Sequence, residues 1–321
     1  MFICIIKLLY QDMTHFLQKI PNKTKGYLLT LIGILAMSNV YIFSKAALSE
    51  LKLAQFGFYW FLSGFLLTLA VTIQQKSYKL IKNFSQKDYL LLLMFGLIEI
   101  ASTVFFFKAI KTMSNPGVVA FMANLGPVFV LSLGVILLKE RFNKIEIVGI
   151  ALTLSAAFIL SYNPQWKNLN EIFIEGSLYV LLFTSLFAIS SILMKINVAK
   201  FSPVLLTLNR TLYLFVFSLT MMFLQKLPFE ISSTAIKNVL IGSFLGPFLT
   251  AIAGLYAIKY IEVSRKSILS STKGLFVLIG SYLYFDKAPT KIQIIGGFLS
   301  IIGVILIIVG KQLLTKSKKK A

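Results

Sequence analysis

Apolar residues occur in ten runs along the chain, separated by short polar breaks. The runs fall at roughly 26–48, 54–74, 89–110, 116–138, 145–161, 174–195, 203–225, 238–259, 264–285 and 291–311. About 17–25 residues is the length of α-helix that crosses a bilayer's hydrocarbon core. No run shows the strict apolar–polar alternation of a membrane barrel strand. The pattern predicts an all-α integral membrane protein with ten transmembrane helices.

Composition supports that class. Of the 321 residues 57% are hydrophobic and 13% charged, against about 25% charged in an ordinary soluble domain. The net charge of +21 would suit nucleic acid, but binding phosphate needs basic groups clustered on one folded surface. Here they occupy the gaps between apolar runs, so no nucleic-acid partner is expected and the bilayer is. With the N-terminus inside, 21 Lys and Arg fall on the inner side and 9 on the outer, leaving Arg210 and Lys273 inside the spans. This bias predicts that both termini are cytoplasmic. The tail "KSKKK" reads as a topology anchor. Cys4 and His15 are the only residues of their kinds, so an internal disulfide or a Cys/His metal cluster is not expected. The opening segment lacks a small-residue cleavage site and reads as an interfacial helix rather than a removed signal. Met13 is an alternative start.

The two halves of the chain are alike. "FFFKAIKTMSNPGVVAFM" matches "GLYAIKYIEVSRKSILSS", and "LGVILLKERFNKIEIVGIALTLSAAFIL" matches "IGSYLYFDKAPTKIQIIGGFLSIIGVIL", with Lys45 of "YIFSKAAL" facing Lys195 of "SSILMKIN". The offset stays between 146 and 150 residues. Five spans per half is an odd number, so the second half enters the membrane upside down. Inverted repeats of this kind place a transporter's substrate site near the midplane between the halves. The expected division is a cytoplasmic segment 1–25, repeats over 26–161 and 174–311, and a basic cytoplasmic tail 312–321.

These blocks, with each half closing on an acidic–basic pair followed by "I-x-I-[VI]-G", resemble the EamA type of the drug/metabolite transporter superfamily. The resemblance runs from about Gly26 to Gly310. "ANLGPVFVLSLGVILLKER" is the strong block; in its second-half counterpart Asp286 stands for the usual glutamate and Lys273 falls where the first half has Pro127. The resemblance implies a secondary transporter, an exporter or exchanger, of small organic metabolites such as amino acids, in a bacterial-type inner membrane. It implies no cofactor.

Candidate site residues follow from the cost of polar groups in hydrocarbon, which makes them face the bundle interior. Asn39, Glu99, Asn124 and Lys273 are the polar candidates for a substrate cavity, with Tyr41 and Tyr256 as aromatic ones; Tyr59 and Trp60 are further aromatics of that kind. Glu99 lies near the midplane and could pair with a base, meet a cationic substrate or carry a proton, which is the candidate coupling ion. Lys273 pairs with Glu99, the only deep carboxylate, attracts a carboxylate or phosphate on the substrate, or faces lipid; the first two readings are compatible. Arg210 could snorkel to the inner interface and is assigned a gating or structural role. Pro127, Pro247 and Gly246 belong with it, because Gly-Pro steps bend helices and free carbonyls. Glu140 and Asp286 are expected to form ion pairs at the ends of spans 4 and 9.

Other functions fit less well. No G-x-x-x-x-G-K-[ST] is present, so the chain is not expected to hydrolyse ATP. A membrane-embedded lipid-modifying enzyme would need Asp, His or Glu clustered at one face, whereas Asp12, Asp88 and Asp286 are far apart. A non-transporting scaffold would need an extramembrane module, and every loop is short.

Overall fold

The computed structural model describes residues 20–112, 123, 125–161, 176–273, 276 and 291–320. Among them every regular element is a helix. In chain order they are α1 Asn22–Glu50, α2 Leu53–Gln74, a 3-10 turn at Ser77–Asn83, α3 Gln86–Thr112, α4 Leu125–Leu138, α5 Lys144–Ser161, α6 Ser177–Phe201 and α7 Pro203–Leu224, followed by α8 Ser233–Ser243, a π-helical segment Phe244–Thr250, α9 Ala251–Tyr260, α10 Val263–Ser270 and α11 Lys291–Lys320.

Five stretches among the described residues are long and apolar enough to cross a membrane: Leu53–Gln74, Gln86–Ala109, Ser177–Phe201, Pro203–Leu224 and Ser233–Tyr260. Leu125–Leu138 and Ile294–Gly310 are shorter apolar helices. Large apolar side chains point outward along them, among them Leu90, Ile136, Leu224 and Phe298. In a soluble protein so much exposed apolar surface would be a liability; here it is the face that meets lipid.

Packing follows small residues. The most extensive helix contacts are α5 with α11, α2 with α7 and α3 with α6. Between α5 and α11, Gly149 and Gly303 allow backbone against backbone: a Cβ on either would lie 2.8 Å from the other's carbonyl oxygen. Asn143 at the start of α5 bonds the carbonyl of Gly310 at 2.7 Å, so these two helices run antiparallel. Gly57 faces Ser218 and Gly64 faces Thr211, so α2 and α7 are antiparallel too. The glycines of G-x-x-x-G, Gly242 and Gly246, take the indole of Trp60 against their bare backbone. Close approach is what such a motif permits.

Two expected spans are not continuous α-helices. The eighth is α8, a π-helical turn and α9 in one line, with Pro247 inside the turn. Proline has no N–H and crowds the preceding turn; the widened turn accommodates it, and the Thr250 hydroxyl bonds the Leu245 carbonyl at 2.7 Å, five residues back. The ninth was expected as one helix over 264–285. Regular α-helix ends at Ser270, and the amides of Ser271 and Thr272 bond three residues back, to Ile268 and Leu269. The hydroxyls of Ser271 and Thr272 occupy the same two carbonyls. Such back-bonding competes with the helical ladder, and Lys273 follows this break.

Candidate functional site

A cavity of about 230 Å³ lies in the middle of the bundle. α1, α2, α3, α4, α6, α7, α9, α10 and the π segment all contribute to its wall. Most of the lining is apolar and aromatic, including Trp60, Phe61, Phe106, Phe107 and Phe183. Among the described residues four charged side chains line it: Glu99, Arg210, Lys266 and Lys273. A second chamber of about 80 Å³ shares Glu99, Arg210 and Lys266 with it and ends at Ile258 and Val263.

Glu99 is buried on α3, and both its oxygens are engaged. Oε1 accepts from the Ser190 hydroxyl of α6 at 2.6 Å. Oε2 accepts from Arg210 Nε of α7 at 2.6 Å. Gly96, one turn before Glu99, makes this geometry possible: the Tyr213 ring of α7 packs where its side chain would be. Asn209 also holds α7 to α3 through the Leu92 carbonyl at 2.9 Å. Of the readings offered for Lys273, the pair with Glu99 is not the one found: the carboxylate's partners are Arg210 and Ser190. Arg210 holds the carboxylate, because the close α3–α7 packing brings the guanidinium within reach while Lys273 lies on another wall. Nor does Arg210 snorkel to an interface; a charge-assisted hydrogen bond in a poorly solvated site is the better partner.

Lys266 is the residue that sequence reasoning misplaced. Counted by its position among the basic residues between spans 8 and 9, it belonged to an inner loop. Instead α10 begins at Val263, and its first turn is already buried. The Lys266 ammonium lies 6.0 Å from the Phe187 ring centroid, and a Cβ on Gly254 would lie 3.3 Å from it. The signal was present as "SRKSILSSTK", which carries Lys266 and Lys273 seven residues apart.

The remaining candidates are spread out. Pro127, Gly246 and Pro247 line the cavity, as does Trp60. Asn39 does not: its amide donates to its own helix, at the Leu35 carbonyl, at 3.0 Å. Neighbouring Ser38 instead bonds the Lys273 carbonyl, at 3.3 Å. Tyr256 packs against Leu29, Ala253 and Ala257. The Tyr59 hydroxyl donates to the Phe229 carbonyl, away from the cavity. Asn124, Asp286 and the side chain of Tyr41 lie outside the described residues.

The chain between α9 and α10 is clamped. Lys195 of α6 donates to the carbonyls of Ile258 and Ile261, the latter at 2.8 Å. Glu140 accepts the amides of Val263 and Ser264 at 3.1 and 3.3 Å. A cation thus satisfies the carbonyl end of one helix and a carboxylate the amide start of the next, as helix dipoles favour. Glu140 was expected to form an ion pair at the turn; it is a helix cap instead, because its position after α4 places it opposite the start of α10.

Beside this clamp is an ionic cluster centred on a buried arginine. Arg265 is fully buried and paired with the fully buried Glu146 at 2.6 Å and with Glu262 at 2.8 Å. Its guanidinium lies 4.6 Å from the Phe142 ring centroid and donates to the Arg141 carbonyl at 3.0 Å.

The EamA-like transporter family model matches residues 24–162 and 174–309. A protein of Archaeoglobus fulgidus described as an uncharacterized transporter is 26% identical over 236 residues, covering 71% of this chain and 80% of that one. A second of the same description and organism is 25% identical over 170 residues, 53% of each chain. A solved crystal structure matches with a TM-score of 0.74 at 16% identity, over 90% of this chain and 99% of that one; at that identity the likeness is one of fold. With two matched segments that together span most of its length, this multi-pass membrane chain belongs to the EamA-like transporter family, and it is a membrane transporter.

Proposed function

We propose that the chain is a ten-span secondary transporter of small organic metabolites, working by alternating access between two inverted five-helix halves. The halves are the repeats over 26–161 and 174–311, and both ends of the chain are cytoplasmic, in a bacterial-type inner membrane. The observation that carries this reading is the central cavity, whose wall draws on helices from both repeats and holds the Glu99–Arg210 pair. An exposed route to one side at a time requires bistable elements around such a site. The π turn at Pro247 and the break before Lys273 interrupt regular α-helix beside the cavity, the setting in which membranes tolerate such interruptions. The Lys195 and Glu140 clamp stands at the inner end of the smaller chamber, where an inner gate would be. Export or exchange is the direction, with the proton as candidate coupling ion.

The test is solute movement in vesicles reconstituted with the purified protein, using a metabolite panel and an imposed pH gradient. Accumulation or release that depends on the protein and is lost in Arg210→Met supports the reading. A reporter fused after Lys320 should be active only if it works in the cytoplasm; an active periplasmic reporter there would sink the topology.

A further inference from the structure

The cavity carries more positive charge than its own residues neutralise. Among the described residues three cations and one carboxylate line it, and that carboxylate is taken by Arg210 and Ser190. Lys266 and Lys273 form no salt bridge with any described acidic residue. Both are half-buried on one stretch of chain. A lysine at membrane depth is costly unless water, an anion or a partner receives it. The neighbouring cluster shows the alternative, since Arg265 there has two carboxylates. Both lysines line the cavity, whose wall also carries the rings of Phe61, Phe106, Phe107, Phe183 and Phe187.

Resting on the transporter reading above, we propose that the substrate is an organic anion with a ring-sized apolar body, whose acid group lies between Lys266 and Lys273. An anion removes the like-charge repulsion between the two ammoniums and supplies each with an acceptor in a medium where charge interactions are strong. A cation would add to the surplus. A neutral solute would leave both lysines unmatched. A zwitterionic amino acid needs an acceptor for its ammonium, and Glu99 is already occupied. The site should therefore prefer an acid without an amino group to the corresponding amino acid. Phe187 and the other rings receive the apolar body, and Gly254 leaves the space in which the Lys266 ammonium sits.

The experiment measures binding to the purified full chain in detergent micelles, by titration calorimetry and by the shift in melting temperature. The probes are 3-phenylpropionate, its amide, 3-phenylpropylamine and phenylalanine. We expect 3-phenylpropionate to bind at least tenfold more tightly than the other three. Lys266→Met and Lys273→Met should each weaken it at least tenfold, while Lys237→Met, at an exposed position outside the cavity, should not. Lys266→Arg should retain part of the affinity. Equal binding of acid and amide, preference for the amine or amino acid, no binding of the acid, or preference for the acid that survives both methionine variants overturns the proposal. The two readings separate. Vesicles that move neutral or cationic solutes, with no acid bound, leave the transporter and remove the anion. Lysine-dependent binding of the acid with no solute moved in any vesicle does the reverse.

Discussion

Arg265 and Lys266 are neighbours on α10 and face different surroundings. Arg265 enters a cluster with Glu146 and Glu262, where its side chain and that of Glu146 are both 0% exposed. Lys266 enters a cavity in which the nearby carboxylate already belongs to Arg210. In the first the protein supplies the counter-charge, since two carboxylates hold the one guanidinium. The second is unmatched and open. An intramembrane charge is therefore not by itself a sign of function. What separates the two is whether the protein supplies the counter-charge or leaves it for something else to supply.

The strongest challenge to this contrast is Glu146→Gln. Removing one partner of a buried pair leaves an uncompensated charge and costs about 3–5 kcal/mol, so the folded fraction surviving detergent extraction and heating should fall sharply. If it does not, Arg265 does not depend on Glu146 for its counter-charge. Replacing the pair together, Arg265→Met with Glu146→Leu, should recover most of the loss, since an apolar pair can substitute for a buried ionic one.

Glu99→Gln should cost less, about 1–3 kcal/mol, the worth of a hydrogen bond to a charged group. Arg210 is 28% exposed and can turn toward the cavity. Melting temperature checks this, and the loss must be smaller than for Glu146→Gln for the contrast to hold. Lys195→Met removes the donor to two carbonyls at the α9 end and should cost about 1–2 kcal/mol, near the value of a helix cap. Transport by this variant should show leak or altered sidedness.

Lys266→Met and Lys273→Met should cost no stability. Each removes an unneutralised charge from membrane depth, so melting temperatures equal to or above the parent's are expected, together with impaired transport. A drop would mean that each lysine has a structural partner. The smallest effect is expected for Asn39→Ala. Its amide serves only its own helix in this structure, and a change away from buried networks usually stays within about 0.5 kcal/mol. Loss of transport in that variant would place Asn39 in another state of the cavity.

Much of the frame was legible in the chain. Length and apolar content of the runs led to helices, because a bilayer admits few alternatives. The blocks ending at Glu140–Arg141 and Asp286–Lys287 led to the family. Glu99 and Lys273 stood out because a charge inside an apolar run is visible in one dimension. Lys266 did not stand out, because a cation between two spans looks like every other loop cation. The roles of Glu140 and Lys195 were not legible because their partners are backbone groups of helices far along the chain, and a sequence does not show where helices start and stop. The π turn was half legible, since Gly246-Pro247 foretells a disturbance but not its form.

By itself, the sequence determined the solvent of this protein, its helical class and its family, because these depend on the local chemistry of each segment: apolar length, charge asymmetry and motif blocks. Only the tertiary structure decided which charges pair. That Glu99 is held by Arg210 rather than Lys273 depends on how closely α3 can approach α7, which Gly96 and the Tyr213 ring set. That Arg265 is neutralised while Lys266 is not depends on the angle of about 100° between successive side chains of an α-helix. That angle turns one toward α5 and the other toward the cavity.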